Sequence, residues 1–387
     1  MILRCIKRRG STSLSISAWL PELDGDALAS FGAFAPDLES INLQMCGRLV
    51  DPALDAWATK LKKLHSLELF GPFLVRVEAW YRFFERLGSR LRSFKIRETP
   101  RFDLACVEKM VKMCPNITEL GLAQIGKLDD KMLSPLATYS NLTYLDISDP
   151  GVSGPGIMAE SLKDESVIQL LSKIGGTLQS LNISGNNALT DAVVTKGISP
   201  HCRALQSFAC SGCDQIAGKA FAHMWNGTSP IDEEQQQPNG TEEAAAEADG
   251  AGSSRQSAPR TRARSSKASQ ANGSVAENAN AKALLPRASL LRIDLSRALL
   301  VDDDAIVALM EHHGASLVHI NLNSVDLITE RALAAVATYC TSAVTIDLSF
   351  CRAVDDSLLM DIMKVPTLEK VLVWGCNRVV SRRRACC

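Results

Sequence analysis

The sequence predicts an α/β solenoid in which short parallel strands stack rung on rung and a helix closes each rung. Three observations carry this prediction. One apolar pattern recurs along most of the chain, its copies are almost evenly spaced, and the stretches between copies carry helical apolar stripes behind N-cap residues.

The pattern is aliphatic-x-x-aliphatic-x-aliphatic. It appears as Leu38/Ile41/Leu43, Leu64/Leu67/Leu69, Leu91/Phe94/Ile96, Ile117/Leu120/Leu122, Leu142/Leu145/Ile147, Leu178/Leu181/Ile183 and Leu205/Phe208/Cys210. After a gap it resumes as Leu290/Ile293/Leu295, Leu317/Ile320/Leu322, Ala343/Ile346/Leu348 and Leu368/Val371/Val373, and Leu14/Ile16 read as a degenerate first copy. Most third positions lie 25–27 residues apart; the exceptions are 36 residues from Ile147 to Ile183 and 85 from Cys210 to Leu295. This is the leucine-rich-repeat pattern. Its alternating part makes a short strand with one apolar face, which only stacking on neighbouring units can bury.

The rest of each unit reads as helix. Asp51 precedes Leu54, Trp57, Ala58 and Leu61; Asp164 precedes Val167, Leu170, Leu171 and Ile174; Thr329 precedes Leu333, Val336, Ala337 and Cys340. Each is an N-cap candidate followed by an i, i+3, i+4, i+7 stripe. The expected form is a horseshoe with parallel strands on its concave face and helices on its convex face. Twelve strands would span about 50 Å, a surface suited to a macromolecule rather than a metabolite. The expected organisation is a solenoid over 1–226 with a degenerate first repeat at 11–37, a disordered insertion over 227–284, and a solenoid over 285–387 continuing the same stack.

Composition bounds the function. The 387 residues are 46% hydrophobic and 22% charged, with a formal net charge of −1, so a large core is available and the chain is not a strong polyanion binder. Arg4, Lys7, Arg8 and Arg9 are followed by a serine-broken run rather than a secretory leader. No segment approaches the roughly 18 apolar residues of a membrane span. The 12 cysteines are therefore read as reduced, in the cytosol or nucleus. Cys46, Cys213, Cys351 and Cys376 share one place in the repeat, which Asn186 fills in another copy, and Cys114, Cys202 and Cys340 share a second. Metal binding is one reading. Small side chains filling a tight turn is the preferred one, because zinc sites need paired cysteines; Cys210 and Cys213 do form one C-x-x-C, but Cys210 takes an inward strand position.

The 227–284 insertion is poor in large aliphatics and cannot bury enough to order itself. Its second half carries Arg260, Arg262, Arg264 and Lys267, a candidate nuclear import signal or weak nucleic-acid contact against the plainer reading of a solvated loop. The Pro- and Gly-rich stretch 149–160 reads as a rim loop, either spacer or contact. The third unit is aromatic: Phe70, Gly71, Pro72 and Phe73, then Trp80, Phe83 and Phe84, then Arg101 and Phe102. Trp80, Phe83 and Phe84 suit a helix core, whereas Phe70, Gly71, Pro72, Phe73, Trp80, Arg101 and Phe102 are the candidate interface on the alternative reading. No P-loop, G-x-S-x-G or H-E-x-x-H occurs; Asp302–Asp304 read as a helix start, and His312 and His313 as capping or solvent-facing. Nothing requests catalysis, a cofactor, a metal or a small-molecule substrate.

The late units, such as Ile346-Asp347-Leu348-Ser349-Phe350-Cys351-Arg352, resemble cysteine-containing, ribonuclease-inhibitor-like repeat families. These include F-box substrate receptors of ubiquitin ligases. A closer similarity lies in Leu67-Glu68-Leu69-Phe70-Gly71-Pro72-Phe73-Leu74-Val75, Trp80, Phe83, Phe84, Arg101 and Phe102, in Leu145-Asp146-Ile147-Ser148-Asp149-Pro150, in Trp225 and in Ile320-Asn321-Leu322-Asn323-Ser324. These resemble the leucine-rich-repeat subunit of the fungal global-genome nucleotide excision repair complex, over roughly residues 20–380. The resemblance implies a non-catalytic nuclear scaffold that partners a Swi/Snf-type ATPase and cullin–elongin-type ligase components and meets damaged DNA only indirectly or weakly. Members of that family carry an N-terminal extension with a cysteine-rich, zinc-finger-like segment, whereas here the repeats begin almost at Met1. The alternative expectation is an F-box-type receptor.

Overall fold

The computed structural model of the chain describes residues 12–16, 24–125, 128–149, 162–226 and 288–380. Arg260, Arg262, Arg264 and Lys267, the 227–284 insertion, the 150–160 loop, the basic residues 4–9 and the 381–387 tail lie outside these residues.

Among the described residues, twelve strands form one open sheet in sequence order, and every neighbouring pair is parallel. They are β1 (Ser13–Ile16), β2 (Ser40–Leu43), β3 (Ser66–Phe70), β4 (Ser93–Arg97), β5 (Glu119–Ala123), β6 (Tyr144–Asp146), β7 (Ser180–Asn182), β8 (Ser207–Ala209), β9 (Arg292–Asp294), β10 (His319–Asn321), β11 (Thr345–Asp347) and β12 (Lys370–Leu372). The middle apolar position of every copy sits in register with the next: Leu14, Ile41, Leu67, Phe94, Leu120, Leu145, Leu181, Phe208, Ile293, Ile320, Ile346 and Val371 form one row. All but Val371, on the edge strand, are buried. Each fully buried aliphatic contributes about 1.5–3 kcal/mol, and a lone rung has nothing to bury it against. The repeats therefore fold as a leucine-rich-repeat solenoid.

Helices return the chain from each strand to the next. They are α1 (Gly25–Phe34), α2 (Asp51–Lys60), α3 (Val77–Leu87), α4 (Leu104–Met113), α5 (Asp130–Leu136), α6 (Asp164–Ile174), α7 (Gly218–Asn226), α8 (Asp303–His313), α9 (Glu330–Tyr339) and α10 (Asp356–Ile362). Between β7 and β8 the return is a π-helical turn, Val193–Ile198, running into Ser199–His201. Pro200 has no N–H to give the carbonyl four residues back, which disfavours a regular α-helix there. On either side of the 227–287 segment, β8 pairs with β9 and α7 packs on α8.

Carboxylates organise the helix starts in two ways. Asp24, Asp103, Asp129, Asp302 and Asp355 cap their own helices. Asp51 and Asp164, expected as N-caps, instead occupy first-turn positions after Val50 and Lys163. Their carboxylates accept the backbone N–H of Arg76 and Thr190, at the helix start of the next rung. Asp130, Asp191 and Asp303 do the same for Lys163, Ala217 and Thr329. A cap inside one rung thus becomes a tie between two. His313 is a second correction. It lies buried, edge-on to Trp225 at 5.7 Å between ring centroids, with Nδ1 accepting from the Leu290 N–H, because the packing of α7 against α8 encloses it.

Candidate interaction surface

Strand residues that do not face the helices form rows along the open face of the sheet. The middle row runs Asn42, Glu68, Lys95, Gly121, Asp146, Asn182, Ala209, Asp294, Asn321 and Asp347, each in register with the next. Except at Asn42, which accepts from the Gln44 side chain, Asp or Asn at this position accepts the N–H two residues on: Asp146 from Ser148, Asn182 from Ser184, Asp294 from Ser296, Asn321 from Asn323 and Asp347 from Ser349. This local bond competes with the strand ladder, and those strands are three residues long, whereas β3, β4 and β5 are five.

The longer strands carry the charge. Asn42 donates to Glu68 at 2.9 Å, Lys95 pairs with Glu119 at 2.7 Å and lies 4.1 Å from the Tyr144 ring centroid, and Arg97 stands 4.0 Å from the buried Asp146 carboxylate. Gly121 and Ala123 leave a recess among them, walled by Glu68, Phe70, Lys95, Arg97, Tyr144 and Asp146. A Cβ on Gly121 would come within 3.2 Å of the Lys95 side chain, so the recess depends on glycine. Burial pushes the Glu119 carboxyl up, but Lys95 and the Ser93 hydroxyl outweigh it and leave it below the usual range. Burial raises Tyr144, with Asp146 and Glu68 adding to the effect. Asp149 is raised by burial, against Arg97. The recess offers ion pairs and hydrogen bonds; no nucleophile–base pair is assembled in it.

The aromatic third unit divides. Trp80, Phe83, Phe84, Phe94 and Phe102 form one cluster with centroid separations of 5.2–6.3 Å, and Trp80 and Phe102 are 0% and 1% exposed. As interface candidates these two are corrected: the α3 stripe and the turn before α4 turn them into core. Gly71 and Pro72 are also buried, in the turn after β3. Phe70 is half-buried on the open face, Arg101 is exposed, and Phe73 is 44% exposed with its ring over Gly71. Gly71 is at φ +76°, which favours glycine. Contact candidates therefore narrow to Phe70, Phe73 and Arg101.

The cysteines make backbone contacts. Cys213, Cys351 and Cys376 donate to the carbonyls of Ile183, Leu322 and Leu348, one rung back, and Cys46 to Phe70. Asn186 spans Ile147 and Ile183 from the same place. Burial pushes Cys46, Cys106, Cys114 and Cys340 up to about 12. Cys210 is raised by its contact with Cys213 and by burial. Among the described residues no group of three or more His, Cys, Asp or Glu is placed to hold a metal, and no helix is long and apolar enough to cross a membrane.

Comparison with known proteins bears on what this surface serves. The chain is 27% identical over 361 residues to DNA repair protein rhp7 of Schizosaccharomyces pombe, covering 93% of this chain and 53% of the relative. It is also 27% identical over 364 residues to DNA repair protein RAD7 of Saccharomyces cerevisiae, covering 92% and 53%. The chain is homologous to the Rad7/Rhp7 DNA repair proteins. It spans about half the length of these Rad7-type relatives. Among solved structures, that of yeast Rad7 in complex with Elc1 shares the fold, with a TM-score of 0.71 and 22% identity over 98% of this chain and 84% of that one. No family model matches the chain.

Proposed function

We propose that the chain is the non-catalytic repeat scaffold of a nuclear DNA-damage-recognition complex, linked to a cullin-type ubiquitin ligase through an elongin-type subunit. The observation that carries this reading is the similarity to two DNA repair proteins along more than nine-tenths of the chain. The likeness of fold to Rad7, solved as a complex with Elc1, supports a protein partner of elongin type. The open face supports binding, because its recess offers paired charges, Lys95 with Glu119 and Arg97 facing Asp146, to a macromolecular partner. A Swi/Snf-type ATPase is the second proposed partner, and contact with damaged DNA is indirect or weak. Nothing among the comparisons favours the F-box reading. Affinity purification of the tagged chain from ultraviolet-irradiated cells tests the proposal. Recovery of an elongin-type protein and a Swi/Snf-type ATPase is the expected result; recovery of neither would overturn it.

A further inference from the structure

The turns that lead from α2 to β3 and from α3 to β4, together with the end of α4, carry positive charge alone. Residues 60–65, 86–92 and 112–116 hold Lys60, Lys62, Lys63, Arg86, Arg90, Arg92 and Lys112, and no Asp or Glu. Backbone contacts join them into one ridge. The Arg90 guanidinium donates to the carbonyls of Leu61 and Lys62 in the preceding turn and of Arg86 at the end of α3, and Arg92 donates to the Asn116 carbonyl in the following turn. Lys63 pairs with Asp37, and Arg86 with Asp55. No ion pair among the described residues includes Lys60, Lys62, Arg90, Arg92 or Lys112. All of these but the half-buried Arg90 are exposed.

The fold itself does not require these cations. The residue just before the first apolar position of a rung ties it to the rung before. Thr177, Ser316 and Thr367 do so with a hydroxyl, donating to the carbonyls of Leu142, Leu290 and Ala343. Asn116 does so with its amide, donating to the Ser89 carbonyl. Arg90 fills the same place with a longer, charged side chain where a hydroxyl suffices. Lys60, Arg86 and Lys112 lie in last helical turns, where the helix dipole favours a cation, yet α1, α5, α9 and α10 end without one. The turns at 137–141, 175–178, 314–316 and 340–343 carry no charged residue.

Charge and size select the occupant. Neighbouring rungs stand about 4.8 Å apart, so the three turns span about 10 Å, the length of three extended residues at roughly 3.3 Å each. Carboxylates of a short acidic segment fit that span, and a guanidinium binds a carboxylate through a planar fork of donors. Nucleic acid fits less well. These turns hold no Phe, Tyr or Trp on which a base could stack, and a chain of net charge −1 offers a phosphate backbone little attraction outside the ridge. We infer that this ridge docks an acidic segment of a protein partner, with its carboxylates along Lys60, Lys62, Arg90, Arg92 and Lys112. The inference rests on the scaffold reading and assigns it a surface.

The probe is a labelled oligoglutamate peptide, titrated against the full chain by fluorescence anisotropy. The expected result is saturable binding that weakens with added salt and weakens at least tenfold in Lys62→Glu/Arg92→Glu. Arg90 is left in place because its bonds join two rungs. Lys131→Glu/Lys219→Glu makes the same change of charge at exposed residues of α5 and α7 and should bind as the wild type does. Hydrogen exchange on the unsubstituted chain supplies a second readout, with peptide-dependent protection expected at 60–65 and 88–92 and none at 314–316 or 340–343. Random-sequence duplex DNA with the same label is the competing ligand. Absence of peptide binding, an equal loss in both variants, protection elsewhere, or duplex bound more tightly than the peptide through Lys62 and Arg92 would overturn the inference, the last by assigning the ridge to nucleic acid. If the wild type still recovers its elongin and ATPase partners while the peptide fails to bind, the ridge assignment falls and the scaffold reading stands.

Discussion

At the scale of single residues, the thiols and the tight turns carry the sharpest consequences. Cys46, Cys106, Cys114 and Cys340 ionise near 9.0 when unfolded and at about 12 when folded, because burial disfavours the thiolate. Between those values the unfolded chain holds fewer protons than the folded one. The stability these groups contribute is therefore intact below pH 9 and is lost as pH rises toward 12. Urea unfolding from pH 7 to 11 should show midpoints that are level at first and then fall above pH 9, with maleimide labelling of the four thiols at pH 8 absent until unfolding. Fast labelling in the native state would contradict their burial. A second consequence concerns the turn after each strand, where every rung described past that point has a positive φ. A Cβ on Gly185 (φ +73°) would fall 2.0 Å from Asp149 Oδ1, whereas one on Gly212 (φ +63°) meets nothing within 4 Å. Gly212→Ala should lose only the conformational part, about 1–2 kcal/mol. Gly185→Ala should lose more, and equal midpoints for the two variants would argue against the close approach of Asp149. Composition hides this backbone requirement, because Met45, Glu98, Gln124, Asp149, Arg297, Ser324 and Phe350 also adopt it, at a cost that glycine avoids.

At the scale of elements, the strand rows were legible because one face of every rung must be apolar at every second residue, and Leu67, Leu145, Ile293 and Ile346 take those places in the sheet. Helix starts were legible only to within a residue. Asp51 and Asp164 carry cap chemistry, but spend it on the next rung, which no local spacing announces. The aromatic unit shows the same limit. Helical spacing groups Trp80, Phe83, Phe84 and Leu87 into one buried stripe, while Phe73 and Phe102 lie in turns, where periodicity says nothing of direction. Truncating Trp80 to Ala should cost about 3–5 kcal/mol in urea unfolding, as for other buried aromatics. Trp80→Phe should cost less, since Trp80 Nε1 has no hydrogen-bond partner, and Phe73→Ser should stay within about 0.5 kcal/mol. A small loss in Trp80→Ala would contradict its place in the core.

At the scale of the whole molecule, rungs on both sides of a long interruption form a single sheet. The repeat pattern made that stack legible, since Phe208 and Ile293 match in kind although 85 residues separate them. The candidate surface was less legible: the recess at Gly121 depends on a missing side chain. The most direct test is a pair of cysteines across the junction. Ser207 and Arg292 are register partners on β8 and β9, so their Cα atoms stand about 4.8 Å apart, within disulfide reach. His319, one rung further on β10, stands about 10 Å from Ser207 by the same spacing and is out of reach. Under mild oxidation, Ser207→Cys/Arg292→Cys should cross-link in the folded chain and Ser207→Cys/His319→Cys should not. Failure of the first pair, or equal cross-linking of both, would contradict the continuous stack.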